Sequence, residues 1–245
     1  MSRWFRADLH LHTCLSPCAA STMSPMAIVK EAKKLNLQMI GISDHNSVEN
    51  VEAVKKAGKR EGLAVMGGIE ITSQEEVHIL GFFSKETALW DIQDTVYKNL
   101  SGENDENLFG EQIVADEYDR IIGSNKRLLI GATELSVEKV VDAIHGLGGL
   151  AIASHIDRQS FSIIGQLGFI PRGLTLDALE ISPLASAKRQ YSLSQRYNFP
   201  LVTFSDSHWL DDIGRSSSSF LIEEASVEEI KKALMGKDGR KVIIE

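Results

Sequence analysis

The sequence predicts an α/β fold, a mostly parallel sheet long enough to close into a barrel, and three observations predict it. Apolar, β-branched runs alternate with helix-like stretches almost from end to end. The length, 245 residues, suits one barrel of about 250 residues. Histidine and acidic residues gather where the apolar runs stop, the end at which barrel active sites lie.

The runs are Phe5–Leu11, Met39–Ser43, Leu63–Ile71, Val77–Phe83, Leu150–Ser154, Ala178–Ile181, Leu201–Phe204, Phe220–Ile222 and Val242–Ile244. After the first comes Ser24-Pro25, an N-cap with proline at the first helical position, and Ile28, Ala32 and Leu35 then share a helix face. Ser136 caps a helix carrying Val137, Val140, Val141 and Ile144. Ser226-x-x-Glu229 is a capping box, and Gly236 supplies the stop. Gly146-Leu147-Gly148-Gly149 follows a helix and precedes a strand, the reverse of a dinucleotide fingerprint, so it reads as a C-cap turn. From about 84 to 133 the chain turns polar, with Ser101–Asn107 at its centre. At roughly 50 residues this is too long for a plain loop. It reads as an excursion from one domain spanning 1–245, with a hairpin around Ile113–Ile122 and Arg127–Ile130, serving as a lid or a partner surface.

A content of 43% hydrophobic and 24% charged residues excludes disorder, collagen and coiled coil. The net charge of −8 disfavours long nucleic acid and anionic membranes, both of which need a positive field. No apolar run approaches the ~18 residues of a membrane span, and Met1–His12 lacks a signal-peptide core. The expectation is a cytoplasmic protein whose Cys14 and Cys18 are reduced thiols.

Strand period two places Asp8, His10 and His12 on one face, with Leu9 and Leu11 on the other. Later runs end in Asp44-His45, lead to Glu70, or end in His155 and Asp206, with His208 two residues on. His78 lies inside the Val77–Phe83 run, and only His145 falls on a helix. Six buried polar groups with separate partners would be costly. Convergence on divalent cations of the Zn, Mn or Fe type explains them together. Asp44 beside His45 reads as a carboxylate that orients an imidazole.

Asp8-Leu9-His10-Leu11-His12-Thr13, Ile42-Ser43-Asp44-His45-Asn46, Gly67-Gly68-Ile69-Glu70-Ile71 and Ser205-Asp206-Ser207-His208 together resemble the PHP (polymerase and histidinol phosphatase) superfamily. The likeness spans residues 5 to about 210 and is strongest to single-domain phosphoesterases related to bacterial nucleoside 3′,5′-bisphosphate phosphatases. It implies a distorted (β/α)7 barrel and hydrolysis of phosphate esters by two or three divalent metal ions. Carried over, it puts His10, His12, Glu70 and Asp206 around one metal. Glu70 bridges to a second completed by His78 and His155, and His45 and His208 face a third. Where the family places a third-site His or Asp, this chain reads Thr13-Cys14-Leu15-Ser16-Pro17-Cys18. Either cysteine, or water, fills that place, or the third site is weak. Ile156-Asp157-Arg158 after His155 resembles the family's His-Pro-x-Arg element, so Arg158 is expected to fork onto phosphate oxygens, with Arg215 a second candidate.

The expected reaction is hydrolysis of a small phosphate monoester by a hydroxide bridging two cations. A metal-bound water or His208 is the candidate to protonate the leaving oxygen. The rivals are a 5′ or 3′ exonuclease acting on short nucleic acids with the same metals, and an amidohydrolase-type C–N hydrolase. The latter leaves Glu70 and Asp44-His45 unexplained.

Overall fold

The computed structural model describes residues 1–183 and 185–245. In chain order the elements begin with β1 (Arg3–Leu11), α1 (Pro25–Lys34), β2 (Met39–Ile42), α2 (Val51–Glu61), β3 (Ala64–Thr72), β4 (His78–Phe83) and α3 (Glu86–Lys98). Then follow α4 (Glu106–Phe109), β5 (Ile113–Ala115), β6 (Ile121–Ser124), α5 (Val137–Gly146), β7 (Leu150–Ala153) and α6 (Ile163–Leu167). The chain finishes with β8 (Ala178–Ile181), α7 (Ala187–Arg196), β9 (Leu201–Thr203), β10 (Ser218–Ile222), α8 (Val227–Leu234) and β11 (Lys241–Ile244).

One sheet takes the order β11-β10-β1-β2-β3-β4-β7-β8-β9 and curls into a distorted barrel. Its seam closes in two ways. Thr203 bonds through its N–H and carbonyl to the Ser218 hydroxyl (2.9 and 3.1 Å). Beyond β9, Ser207 then pairs in parallel with the end of β1, through His12 N–H to Ser207 O (3.0 Å) and Ser207 N–H to His10 O (3.1 Å). β10 runs antiparallel to the first half of β1 and to β11, which the chain reaches through α8. The sheet is less parallel than expected, because β4 runs antiparallel to both neighbours. A short β3–β4 connection leaves no room for the helix that a parallel crossover needs.

Phe5, Ala7, Leu9, Met66, Leu80, Phe82, Ile152 and Phe204 fill the interior, with the apolar face of α8 against one end. The Phe82 ring occupies space left by glycine: a Cβ on Gly41 or Gly68 would lie 2.8 or 2.5 Å from it. The outward strand residues pack under α1, α2, α3 and α5.

Ser136 and Ser226 cap as expected, accepting from Lys139 N–H and Glu229 N–H, whereas Ser24 stands at the N-cap of α1 without a side-chain hydrogen bond. Gly236 takes the left-handed conformation after α8. The box at Ser226 is only half made, because the Glu229 carboxylate turns to Glu223 N–H, Lys232 and Arg240 at 2.8–2.9 Å. These partners lower its pKa from the usual 4.5 to about 2. Glu229→Gln is expected to cost about 2 kcal/mol, the scale of charged hydrogen bonds. The parent's advantage is fully present above pH 4.5 and fades as pH falls towards 2. Urea melts of both proteins at pH 7 and pH 3 test this, and an equal gap at the two values would contradict it.

The polar excursion is shorter than the expected 84–133. Helix α3 packs on β3 and β4, and a Leu100–Thr133 bridge closes the neck of what remains. The hairpin is β5 with β6, not Ile113–Ile122 with Arg127–Ile130. Asp116 explains this: its carboxylate accepts from Tyr118 and Arg120 N–H and turns the chain early. No described helix is long and apolar enough to cross a membrane.

Candidate metal centre

The barrel's strand ends bring seven side chains around one carboxylate. Glu70 sits near the end of β3 and is fully buried. Its Oε1 lies 3.1 Å from His78 Nδ1, 3.2 Å from His10 Nε2 and 3.5 Å from His155 Nε2. Its Oε2 lies 3.2 Å from His45 Nδ1 and 3.5 Å from His12 Nε2. Asp206 Oδ1 is 3.2 Å from both His10 Nε2 and His12 Nε2. The His208 ring stacks on His12, centroids 4.3 Å apart. His78 reaches this end because it is the first residue of antiparallel β4, so a strand start stands beside five strand exits.

A bulge in β1 aims the first pair. Between Asp8 and Leu11 two residues of β1, Leu9 and His10, stand opposite one of β2, Gly41, which resets the alternation. Leu9 therefore points inward with Phe5 and Ala7, whereas Leu11 points outward. Asp8 does not share the face of His10 and His12 as strict alternation required; it accepts from Ser205 and Gly214 N–H.

Hydrogen bonding fixes which nitrogens are bare. The Ser16 hydroxyl gives its one proton to Asp44 (2.7 Å), so it accepts from His12 Nδ1–H (3.0 Å) and leaves His12 Nε2 unprotonated. His10 Nδ1–H faces the Glu180 carboxylate at 2.9 Å, and its Nε2 faces inward. His208 Nδ1–H donates to Asp206 O at 2.9 Å. His10 Nε2 and His12 Nε2 thus meet at 3.3 Å between two carboxylates. Both Glu70 oxygens and the Nδ1 atoms of His45, His78 and His155 have no hydrogen-bond partner among the described residues. Buried lone pairs converging without protons are a costly arrangement that cations relieve, so the donors fit divalent metals. Among the described residues three sets are compact enough to hold an ion: His10, His12 and Glu70; His45, Glu70 and His78; and His12, His45 and His208. His155 stands just outside these sets, and His45 takes the place beside His78.

The field separates the histidines. Burial resists a charged His10, but Glu180, Asp206 and Glu70 outweigh it and hold its pKa well above the usual range. Burial, with His208 nearby, pushes His12 down to about 4, and burial with His12 nearby pushes His45 well below its usual value. Glu70 and Asp206 stay well below the carboxylate range despite burial, because imidazoles surround them. The backbone is strained here too: Asn46, His155, Phe161 and Asp206 all have positive φ (52, 29, 58 and 52°).

Several expectations need correction. Asp44 does not orient His45 directly. It binds Thr13 N–H, the Thr13 hydroxyl and Ser16 (each 2.7 Å), and so acts on His12 through Ser16. Cys14 is no candidate ligand, because it packs with Ile113 and Ala115 and its thiol donates to Ile113 O. Cys18 is exposed at the rim, beside Arg158, Asp206 and His208. Cys14→Ser and Cys18→Ser should both keep the metals of the His10–His12–Glu70 and His45–Glu70–His78 sets. Metal quantification that finds either variant empty would show that the centre is misplaced. Arg158 does not stand free: its Nη1 lies 2.5 Å from Asp206 Oδ2. Arg215 pairs with Asp212 (3.0 Å) on the same cleft.

Glu180 escaped the sequence reading, though a lone acid in the Ala178–Ile181 run is a legible signal. It is fully buried, holds His10, and accepts from His155 N–H at 3.3 Å. Glu180→Gln should weaken metal binding about 10- to 100-fold with the fold intact. Chelator-competition titrations test this, and parent-like affinity would leave Glu180 without that role.

Two hollows open on the centre. One of about 320 Å³ is lined by Arg158, Asp206, His208, Trp209 and Arg215; the other, about 210 Å³, by Glu70, His78, Ile130, His155 and Phe161. Ile130 comes from the excursion, where Asn46 Nδ2 donates to Leu129 O and Gly131 O (each 2.8 Å) and brackets it.

A family model described as PHP domain matches residues 8–157. A 5′-3′ exoribonuclease of Haemophilus influenzae is 22% identical over 188 residues, covering 60% of this chain and 68% of that protein. The lesion-specific endonuclease PfuEndoQ of Pyrococcus furiosus superposes with TM-score 0.72 at 18% identity, over 98% of this chain. The chain spans only 58% of that endonuclease. An amidohydrolase of Chromobacterium violaceum with bound sulfate superposes with TM-score 0.59 at 18% identity, over 85% of this chain and 89% of that one.

Proposed function

Because this chain belongs to the PHP domain family and is a metal-dependent hydrolase of that kind, we propose that it hydrolyses a phosphate monoester, a nucleotide or another small phosphometabolite. The observation that carries the reading is the 320 Å³ hollow, where Arg158 and Arg215 lie beside Asp206 and His208. When bound, two or three divalent cations (Zn, Mn or Fe) would activate water and offset phosphoryl charge.

The chain's residues do the rest. Arg158 spends one N–H on Asp206 and has others to offer to non-bridging oxygens; Arg215 adds a second cation on the rim. Asp206, gripped by Arg158, keeps its other oxygen on His10 and His12. Asp44 and Ser16 fix the His12 tautomer, and Glu180 fixes that of His10. His208 has 23% of its side chain exposed, against 10% or less for His10, His12, His45, His78 and His155. When no cation occupies the His12–His45–His208 set, it is the imidazole best placed to pass a proton to the leaving oxygen.

A second reading, removal of terminal nucleotides, is favoured by Trp209, 59% exposed on the same hollow, where a base can stack. The similarity to an exoribonuclease supports it, and the net charge of −8 argues for short chains over long ones.

The deciding experiment offers metal-loaded protein nucleoside bisphosphates, aryl phosphate, 5′-phosphorylated oligonucleotides and duplex DNA side by side. Phosphate release from monoesters alone supports the first reading, and mononucleotide release from oligonucleotides the second. Inertness towards every phosphate ester, with turnover of a cyclic amide, would overturn both in favour of a C–N hydrolase.

A further inference from the structure

Phe161 combines three features that ordinary packing does not explain together. Its backbone is left-handed, φ 58°, a conformation that costs a bulky residue energy and that glycine adopts freely. Its ring is 42% exposed, so little burial offsets that cost. Yet the ring stacks on His78, centroids 4.8 Å apart and planes 23° apart.

The backbone repeats the link. His78 N–H donates to Phe161 O (2.9 Å), and Ser154 N–H donates to His78 O (3.1 Å). His78 is therefore held from one side by the strand that leads to His155 and from the other by the loop that carries Arg158. That loop is itself tight: Arg158 N–H donates to His155 O (3.0 Å), and the Ser162 hydroxyl donates to Arg158 O (2.6 Å). His78 needs such support. Its Nδ1 lies 3.1 Å from Glu70 Oε1 but makes no hydrogen bond, so among the described residues no hydrogen bond fixes the ring.

We propose that Phe161 is the positioning residue for His78: its ring, held over the imidazole by the left-handed turn, sets the angle at which His78 faces the Glu70 side of the centre. A strained residue that packed poorly and did nothing else would have no reason to stay strained. The inference rests on the metal-centre reading above and adds to it an orienting group that is apolar, where His10 and His12 have hydrogen bonds.

The test uses Phe161→Gly, which removes the ring and relieves the backbone, and Phe161→Tyr, which keeps the ring. In the metal-free protein, removing the ring should move the His78 ring-proton resonances downfield, and Phe161→Tyr should leave them in place. Titration with Co(II) alone, followed by d–d absorption, should show the cation bound through His45, Glu70 and His78 weakened about 10- to 100-fold in Phe161→Gly. Phe161→Tyr should rescue it to near the parent. Parent-like Co(II) affinity and spectrum in Phe161→Gly would overturn the inference alone. A parent that takes up no second cation would overturn it together with the metal-centre reading.

Discussion

Glu70→Ala is expected to abolish turnover, by a thousandfold or more, and to lower bound metal, with the barrel still folded. Two of the three compact donor sets share this carboxylate, so its loss strips both at once, whereas His208→Ala touches only one. A thousandfold corresponds to about 4 kcal/mol of transition-state stabilisation, within the several kcal/mol that a cation contributes at a phosphoryl oxygen. The fold should survive because the barrel's apolar contacts lie below the site, in the cluster around Phe82 and Leu80. Removing Glu70 also takes away the one carboxylate that five imidazoles share. Metal quantification, circular dichroism and steady-state kinetics on one preparation test this. Glu70→Ala with parent-like metal content and rate would end the bridging role.

Arg158→Ala is the second large effect, an expected hundred- to thousandfold loss in kcat/KM for a phosphate monoester, the scale of one preorganised donor, about 3–4 kcal/mol. The family resemblance placed Arg158 on phosphate oxygens alone. The 2.5 Å contact with Asp206 revises that expectation, since the alanine variant frees one oxygen of a candidate ligand. Metal binding should therefore weaken as well, by less than in Glu70→Ala, because Asp206 keeps His10 and His12. Arg158→Lys should recover part of the rate, since an ammonium supplies charge without the guanidinium fork. Kinetics at saturating metal separate the two effects. Arg158→Ala within threefold of the parent under those conditions would remove the phosphate clamp and strengthen the C–N hydrolase alternative.

The sequence by itself determined what local chemistry controls. Alternating apolar runs specified the strands, Ser136, Ser226 and Gly236 marked helix ends, and polar residues in otherwise buried runs marked His10, His12, Glu70 and Asp206. Those signals survive in one dimension because each depends on neighbours a few residues away. Tertiary structure decided the rest. The direction of β4 put His78 at the mouth from the start of its strand, which a hydropathy pattern cannot encode because it reads the same both ways. The β1 bulge separated Asp8 from His10, since register depends on the partner strand. Asp44 found Thr13 and Ser16 on the β1 side and not its own neighbour His45, and Glu180 reached His10 across 170 positions of chain. Hydrogen-bond partners of buried groups are chosen by the packing of distant segments, and that choice, more than the identity of the ligands, fixes which nitrogens stand bare towards Glu70.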